Sequence, residues 1–214
     1  MSPEENENIE VILNDIIFLS YHNSEYKYLF HENPKRVELL NEIAGFFFSD
    51  YQRLLMNHIC LTMAKLCDPP VQGRGKFRNF TLDYLVDVSI NNKWNISKAL
   101  TDKLAEIRTI LNPITIFRNK FLAHRDWETA VRNGENLDPI IYKQIEISVK
   151  MIEDFYNIYS INIRKSQFSF KMTGGRDAKS LISWLKMGRH YPEIVKDDWE
   201  MEMQQREKWK YKDA

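Results

Sequence analysis

The residue types with the most evident chemistry lie close together, in the run from Ile116 to Asp126. An arginine, an amide and a histidine (Arg118, Asn119 and His124) interrupt an otherwise apolar helical pattern there. A guanidinium keeps its charge and offers a planar fork to phosphate oxygens. An imidazole, with an ordinary pKa of about 6.5, takes or gives a proton at neutral pH. A cation and an imidazole beside a packed surface need partners, or a substrate that supplies them.

Helix geometry limits how Arg118 and His124 can act together. Positions six apart lie roughly 120° apart around a straight α-helix and about 9 Å apart along it. One unbroken helix would therefore not bring the two side chains to a single atom. Their convergence requires a distorted helix end, or the same stretch from a second chain. Pro113 lies inside the helical pattern and predicts a kink or a restart one turn before Arg118.

The elements that must position this stretch are helices. The run Ser2-Pro3-Glu4-Glu5 predicts a capped helix start. Asn33-Pro34 starts a second helix, and Asp68-Pro69-Pro70 ends it. The second helix is predicted to bury a stripe with steps of three and four: Val37, Leu40, Ala44, Phe47, Tyr51 and Leu54, continuing to Leu61.

Three more helices follow in the predicted order. A short third helix covers residues 80–86. Ser97 caps a fourth helix, with a buried face at Leu100, Leu104, Ile107 and Leu111. Asp138-Pro139 starts a fifth, with a stripe at Ile141, Ile145, Ser148, Ile152, Phe155 and Tyr159. The prediction is an all-α, up-down bundle of four to five helices over residues 1–165. Residues 166–214 are predicted to form a C-terminal helical extension that wraps the bundle or a partner.

The balance of charges limits the ways in which this protein could bind nucleic acid. Lysine plus arginine equals aspartate plus glutamate, at 30 each. A neutral chain does not coat nucleic acid by bulk charge, so only local basic patches could bind it. The loop from Gln72 to Asn79 carries Arg74, Lys76 and Arg78, which could contact phosphates, although a solvated loop is the plainer interpretation. It lacks the length and the ending of a phosphate-binding P-loop.

The cysteines and the termini suggest a reduced, cytoplasmic protein. Cys60 and Cys67 are two turns apart on the second predicted helix, about 10 Å and beyond disulfide distance. No cysteine and histidine spacing resembles a zinc site, and we expect no metal and no cofactor. The N-terminus does not resemble a signal peptide, and no apolar run reaches the length of a membrane span.

The candidate stretch resembles the nuclease signature of the HEPN superfamily. That signature is an arginine, a polar residue and, a few residues later, a histidine, which Arg118, Asn119 and His124 match. The longer string Arg-Asn-Lys-x-x-Ala-His-x-Asp resembles the branch named for a U-type abortive-infection system of bacteria. Upstream, residues 64–69 followed by 79–82 are similar to that branch's LxDP and NxTL segments. The resemblance covers roughly residues 10–165.

The resemblance implies a metal-independent endoribonuclease. In that chemistry the 2′-hydroxyl of the RNA attacks its own phosphate, leaving a cyclic phosphate and a 5′-hydroxyl. His124 would transfer the proton, Arg118 would stabilise the developing charge, and Asn119 would orient the phosphate or the histidine. The residues implied to bind flanking phosphates are Lys120, Arg125, Arg74, Lys76 and Arg78.

The family usually acts as a dimer in which two motifs line one cleft, so the expected partners are RNA and a second copy. An antitoxin or inhibitor is a further possible partner. Some HEPN toxins carry a tyrosine that a partner enzyme modifies, but this chain has Trp127 there, so we do not expect that control. Two alternatives stay open: a non-catalytic HEPN-type module that binds RNA or a protein, and a purely structural helical adaptor. In either, Arg118 could simply pair with Glu106, Asp126 or Glu128.

Overall fold

The computed structural model describes residues 1–72, 77–123, 141–171 and 175–194. Its helices are α1 (Pro3–Tyr26), α2 (Pro34–Cys67), α3 (Leu82–Asn91), α4 (Ser97–Phe117), α5 (Tyr142–Ile163) and α6 (Gly175–Ile194). One π-helical turn, Lys27–His31, follows α1, and another, Arg118–Ala123, follows α4. Two short strands, β1 (Val71–Gln72) and β2 (Phe77–Arg78), form an antiparallel pair between α2 and α3. The predicted all-α fold is confirmed.

Local signals set the starts of the first two helices as predicted. The Ser2 hydroxyl accepts a hydrogen bond from the Glu5 backbone N–H at 3.1 Å, and the Glu5 carboxylate accepts one from the Ser2 N–H at 2.6 Å. This is the reciprocal capping box. At α2 the Asn33 side chain accepts from the Lys35 N–H at 3.0 Å. Pro34 then occupies the first helical position, where its missing N–H costs nothing.

The predicted buried stripe of α2 is confirmed in part, since Leu40 is buried and Ala44 and Tyr51 are partly buried against the core. It is wrong at three positions. Phe47, Leu54 and Leu61 are 64%, 55% and 44% exposed, and the neighbouring Phe48 and Leu55 are buried instead. The physical reason is a break at Ala44, whose φ of −155° and ψ of 62° are not helical. A break in the winding rotates the following turns about the helix axis, so a stripe drawn across it selects the wrong face.

The main core lies between α1, α2, α3, α4 and α5. All four residues predicted for the buried face of α4 are buried, as are five of the six predicted for α5. Ile141 is the exception, because it precedes the first described turn of α5 and is 59% exposed. Ser97 is not the N-cap of α4 but its first residue, and its hydroxyl donates to the Trp94 carbonyl.

The chain after α5 folds back onto the bundle. The Asn157 side chain accepts from the Phe168 N–H at 2.8 Å and donates to the Phe168 carbonyl at 3.1 Å, and Phe170 joins the main core. Helix α6 then packs on the N-terminal half of α2 through Ala178 and Ile182. The predicted division of the chain at residue 165 stays a prediction.

Candidate functional site

Helix α4 ends in a distortion that contains the predicted arginine. The helix does not restart at Pro113 but runs through it to Phe117, and Arg118–Ala123 then wind with the wider π-helical repeat. Such π-helical turns occur frequently at functional sites. A distorted helix end, one of the two ways to bring Arg118 and His124 together, is therefore present. His124 lies outside the described residues, so their convergence stays a prediction.

The side chain of Arg118 forms a two-pronged ion pair with Asp68. Nη1 donates to Oδ2 at 2.9 Å, and Nη2 donates to Oδ1 at 2.5 Å. The two side chains are only 16% and 15% exposed. Nε of Arg118 is buried and has no hydrogen-bond partner among the described residues. The guanidinium is thus held by the edge that fits a carboxylate or a phosphate, and the Nε donor is left unused.

Asp68 reaches Arg118 because α2 ends immediately before it. Pro69 and Pro70 cannot continue the helix, and Asp68 itself has left helical geometry, with φ −59° and ψ 155°. Asn79 holds the segment that follows Asp68 in place. Its side chain donates to the Pro69 carbonyl at 3.0 Å, and its backbone N–H donates to the Pro70 carbonyl at 2.9 Å. The chain returning from the strand pair is thereby tied beside the end of α2.

The partner of Arg118 is the functional candidate that the sequence analysis missed. Of the three acids considered, Glu106 pairs with a lysine of its own helix, and Asp126 and Glu128 lie outside the described residues. Asp68 is 50 positions away from Arg118 in the chain, so no local spacing pointed to it. The available signal was the Asp-Pro pair within the upstream segment that resembles the family.

A second arginine of α4 is anchored close to the same helix end. Arg108 pairs with both carboxylate oxygens of Asp83, in the first turn of α3. Its Nε and Nη2 also donate to the Cys67 carbonyl at 3.3 and 3.2 Å. Cys67 is the last residue of α2, and a cation suits the negative end of a helix dipole. Arg108 thus joins α2, α3 and α4.

The other predicted site residues are placed only in part. Asn119 is exposed and Lys120 is half-buried on the same π-helical turn. The backbone of Arg78 belongs to β2, but its side chain is outside the description. Outside the described residues altogether are His124, Arg125, Arg74 and Lys76. Whether the basic residues gather around Arg118 therefore stays a prediction.

A cavity of about 510 Å³ lies between the start of α1, the strand pair and α3. Three carboxylates line it, from Glu4, Glu5 and Asp87. The pKa of Glu5 is lowered, mainly by the hydrogen bond from the Ser2 backbone N–H, so this carboxylate holds its charge. Carboxylates repel phosphate oxygens, and the cavity is not suited to an RNA backbone.

Other chemistries find little support within the described ranges. Both cysteines are unpaired and buried, and burial raises the pKa of Cys60 and of Cys67 to about 12. Their thiols are therefore protonated and unreactive at neutral pH. No three metal-ligating side chains of the described part are grouped as a metal site. No described helix has the length and hydropathy to cross a membrane.

The helical architecture, with the two motif-bearing segments in contact at one end of α4, defines a HEPN-like bundle. A sequence model of the HEPN family described as AbiU2 matches residues 7–181. The chain therefore belongs to the AbiU2 family of HEPN domains, which is related to abortive infection. Searches of curated proteins and of solved structures gave no match.

Proposed function

We propose that this protein is a metal-independent HEPN-type endoribonuclease that acts as a toxin in bacterial defence against phage. One observation supports it most. The two segments that resembled the family, one ending at Pro69 and one beginning at Arg118, meet through the Asp68–Arg118 ion pair. Two segments that form one site must be in contact, although they lie 50 residues apart in the chain. Two chance matches to family motifs would not be expected to lie side by side.

The reaction proposed is an internal transfer of the phosphoryl group. The 2′-oxygen of a ribose attacks the adjacent phosphorus, the bond from phosphorus to the 5′-oxygen breaks, and a 2′,3′-cyclic phosphate remains. His124 takes the proton of the 2′-hydroxyl, and the departing 5′-oxygen receives a proton from the same imidazole or from His124 of the second copy. Arg118 stabilises the charge that accumulates on the phosphate oxygens. The nucleophile belongs to the RNA, and no step consumes a co-reactant.

Binding and orientation fall to the polar residues around this pair. Asn119 is exposed beside Arg118 and, in the proposal, orients the phosphate or the imidazole. The proposed contacts to flanking phosphates come from Lys120, Arg125, Arg74, Lys76 and Arg78. Phosphate contacts of this kind position the strand without reading its sequence.

In the proposal, two chains supply one composite site in the cytoplasm. A two-fold axis near the π-helical turn would bring two copies of the motif together, which answers the geometric difficulty of positions six apart on one helix. It would also concentrate local cations on a chain with no net charge. An antitoxin or inhibitor that covers this composite site would restrain the cleavage of RNA.

A second candidate function has its own supporting observation. Arg118 is already paired with a carboxylate and largely buried, as a structural arginine would be. A non-catalytic HEPN-type module that binds RNA or a partner protein through the same surface would have this arrangement. The two candidates differ in one measurable respect, which is the appearance of new RNA ends.

The test is incubation of the purified protein with labelled RNA in EDTA. We expect cleavage to products with a cyclic phosphate, because neither His124 nor Arg118 needs a metal. His124→Ala should lower the rate by at least about 100-fold and should relieve any toxicity of expression in cells. Sedimentation of the same preparation gives the oligomeric state, and a strictly monomeric active protein would rule out the composite site.

His58→Ala is the matched control. His58 is an exposed histidine on α2, so its loss removes an imidazole without touching the proposed site. Cleavage that survives His124→Ala would exclude the role given to that residue. RNA that binds but is never cut by the unmodified protein would favour the non-catalytic module.

A further inference from the structure

We propose that Asp68 occupies the place of a substrate phosphodiester on Arg118, and that RNA binding exchanges the carboxylate for a phosphate. The inference rests on the proposed function in naming RNA as the source of the phosphate. It adds a residue that decides when the arginine is available. The starting observation is the pairing of both Nη atoms of Arg118 with both oxygens of Asp68.

The geometry of the pair explains why the two ligands compete. A guanidinium binds a carboxylate and a phosphate through the same pair of parallel N–H···O bonds. With Asp68 in place, the outer edge of the guanidinium is filled and the positive charge is neutralised. A phosphate would then meet a neutral ion pair instead of a cation. Arg118 can stabilise negative charge on a substrate only when the Asp68 carboxylate has moved off the guanidinium.

The pairing with Asp68 leaves one buried donor of Arg118 unsatisfied. Nε is buried without a partner among the described residues, and a buried unpaired N–H is unfavourable. A phosphodiester presents two anionic oxygens, as a carboxylate does, so it can take the place of Asp68 on the fork. Arg118 also keeps hydrogen-bonding capacity that Asp68 does not use.

Arg108 provides the contrast within the same helix. Its Nε and both Nη atoms donate to Asp83 or to the Cys67 carbonyl. Four hydrogen bonds hold that guanidinium, and loss of Asp83 would leave it bonded to a backbone carbonyl. Loss of Asp68 would leave Arg118 without a described acceptor. The two pairs therefore predict different responses when their aspartates are replaced.

The experiment compares Asp68→Asn with Asp83→Asn and the unmodified protein. One arm measures the affinity for inorganic phosphate by calorimetry. The other measures binding of a 2′-O-methyl RNA oligonucleotide, which cannot be cut, by fluorescence anisotropy. We expect Asp68→Asn to bind both ligands more tightly, by about tenfold or more, and Asp83→Asn to match the unmodified protein. Adding Arg118→Gln to Asp68→Asn should remove the gain.

The two arms separate the possible sources of the anion. A gain for the oligonucleotide and for inorganic phosphate supports the exchange at a phosphodiester position. A gain for only one ligand overturns it: inorganic phosphate alone indicates a site for a free anion, and the oligonucleotide alone indicates an effect away from the Arg118 fork. Unchanged or weaker binding of both ligands by a folded Asp68→Asn protein overturns it. An equal gain in Asp83→Asn also overturns it, because the effect would then come from removing any negative charge.

A second measurement covers the case in which Asp68→Asn does not fold. In the unmodified protein, the Nε signal of Arg118 is assigned by NMR from its loss in Arg118→Lys. The carboxylate signal of Asp68 is assigned from its loss in Asp68→Glu. The exchange requires both signals to move as the oligonucleotide is added, and binding that moves neither overturns it.

Failure of the exchange and failure of the nuclease proposal give different results. Tighter phosphate binding by Asp68→Asn in a protein that never cuts RNA supports the exchange and removes the nuclease. Cleavage by the unmodified protein, with no gain in phosphate binding on Asp68→Asn, retains the nuclease and overturns the exchange.

Discussion

Helix α4 and the π-helical turn that follows it carry two arginine–aspartate pairs that look alike and differ in the donors they leave unused. Each pair is two-pronged; Arg108 pairs with Asp83 of α3, and Arg118 pairs with Asp68 at the end of α2. Arg108 is 40% exposed and bonds a backbone carbonyl as well as Asp83. Arg118 is 16% exposed and has one buried donor without a described partner.

The difference distinguishes an ion pair that connects helices, at Arg108, from an ion pair in a candidate binding site, at Arg118. A half-exposed guanidinium whose three nitrogens are all bonded contributes modestly to stability, because water already screens the charges. A largely buried guanidinium with an unused donor is more costly to maintain, and an unsatisfied buried group of this kind calls for an explanation, such as a ligand. The surrounding backbone agrees, since α4 is a regular helix at Arg108 and a π-helical turn at Arg118.

The largest expected effect is on cleavage by the two arginine variants. Arg118→Ala should lower the rate of RNA cleavage by about 100- to 1000-fold, the usual loss when a group that stabilises transition-state charge is removed. Arg108→Ala should leave the rate within about threefold. Initial rates in EDTA, with circular dichroism to verify folding, test this. Equal losses of cleavage rate in Arg118→Ala and Arg108→Ala would contradict the distinction between the two arginines.

A smaller effect is expected on stability when the acids are replaced. Asp68→Asn should lower the free energy of unfolding by about 1–3 kcal/mol, because it leaves a largely buried arginine without its counter-charge. Asp83→Asn should cost about 0.5 kcal/mol, because Arg108 keeps the Cys67 carbonyl and reaches solvent.

Urea unfolding in buffer without phosphate or sulfate gives both values. Adding phosphate should return part of the stability lost by Asp68→Asn and none of that lost by Asp83→Asn. A larger loss for Asp83→Asn than for Asp68→Asn would reverse the ranking of the two pairs.

The smallest expected effect is on the pH dependence of folding stability, which must be separated from the pH dependence of cleavage. His22 of α1 packs edge-on against His58 of α2, with ring centroids 4.7 Å apart. Burial, together with the neighbouring His58, lowers the pKa of His22. The unfolded chain then binds more protons below about pH 6.5, so stability falls as pH decreases through that range.

Thermal unfolding at about pH 7.5 and about pH 5.5 measures this loss. His22→Gln should lose less stability than the unmodified protein. Glu25 and Glu153, whose pKa values are raised by burial, act in the opposite sense, so only the difference between the two proteins isolates the histidine. Identical losses would show that His22 does not titrate differently on folding. The pH profile of cleavage, attributed to His124, is then corrected for this effect.

Helix α2 shows where a pattern in the sequence stops being sufficient. Its start at Pro34 and its end at Cys67 follow from caps and prolines, which act within a few residues. Its buried face could not be followed through the break at Ala44. Phe47, Leu54 and Leu61 have helical spacing, yet they face solvent in the isolated chain. Periodicity identifies an apolar face but does not say which neighbour covers it.

The sequence alone determined the helical class, the capped starts of α1 and α2, the buried faces of α4 and most of α5, and the motif that includes Arg118. These depend on spacing and hydrogen bonds within one or two turns. Only the tertiary structure decided that Arg118 meets Asp68, that Arg108 meets Asp83, and which side of α2 is buried. Those outcomes depend on how helices pack across 25 to 50 positions of chain, and no local pattern encodes that packing.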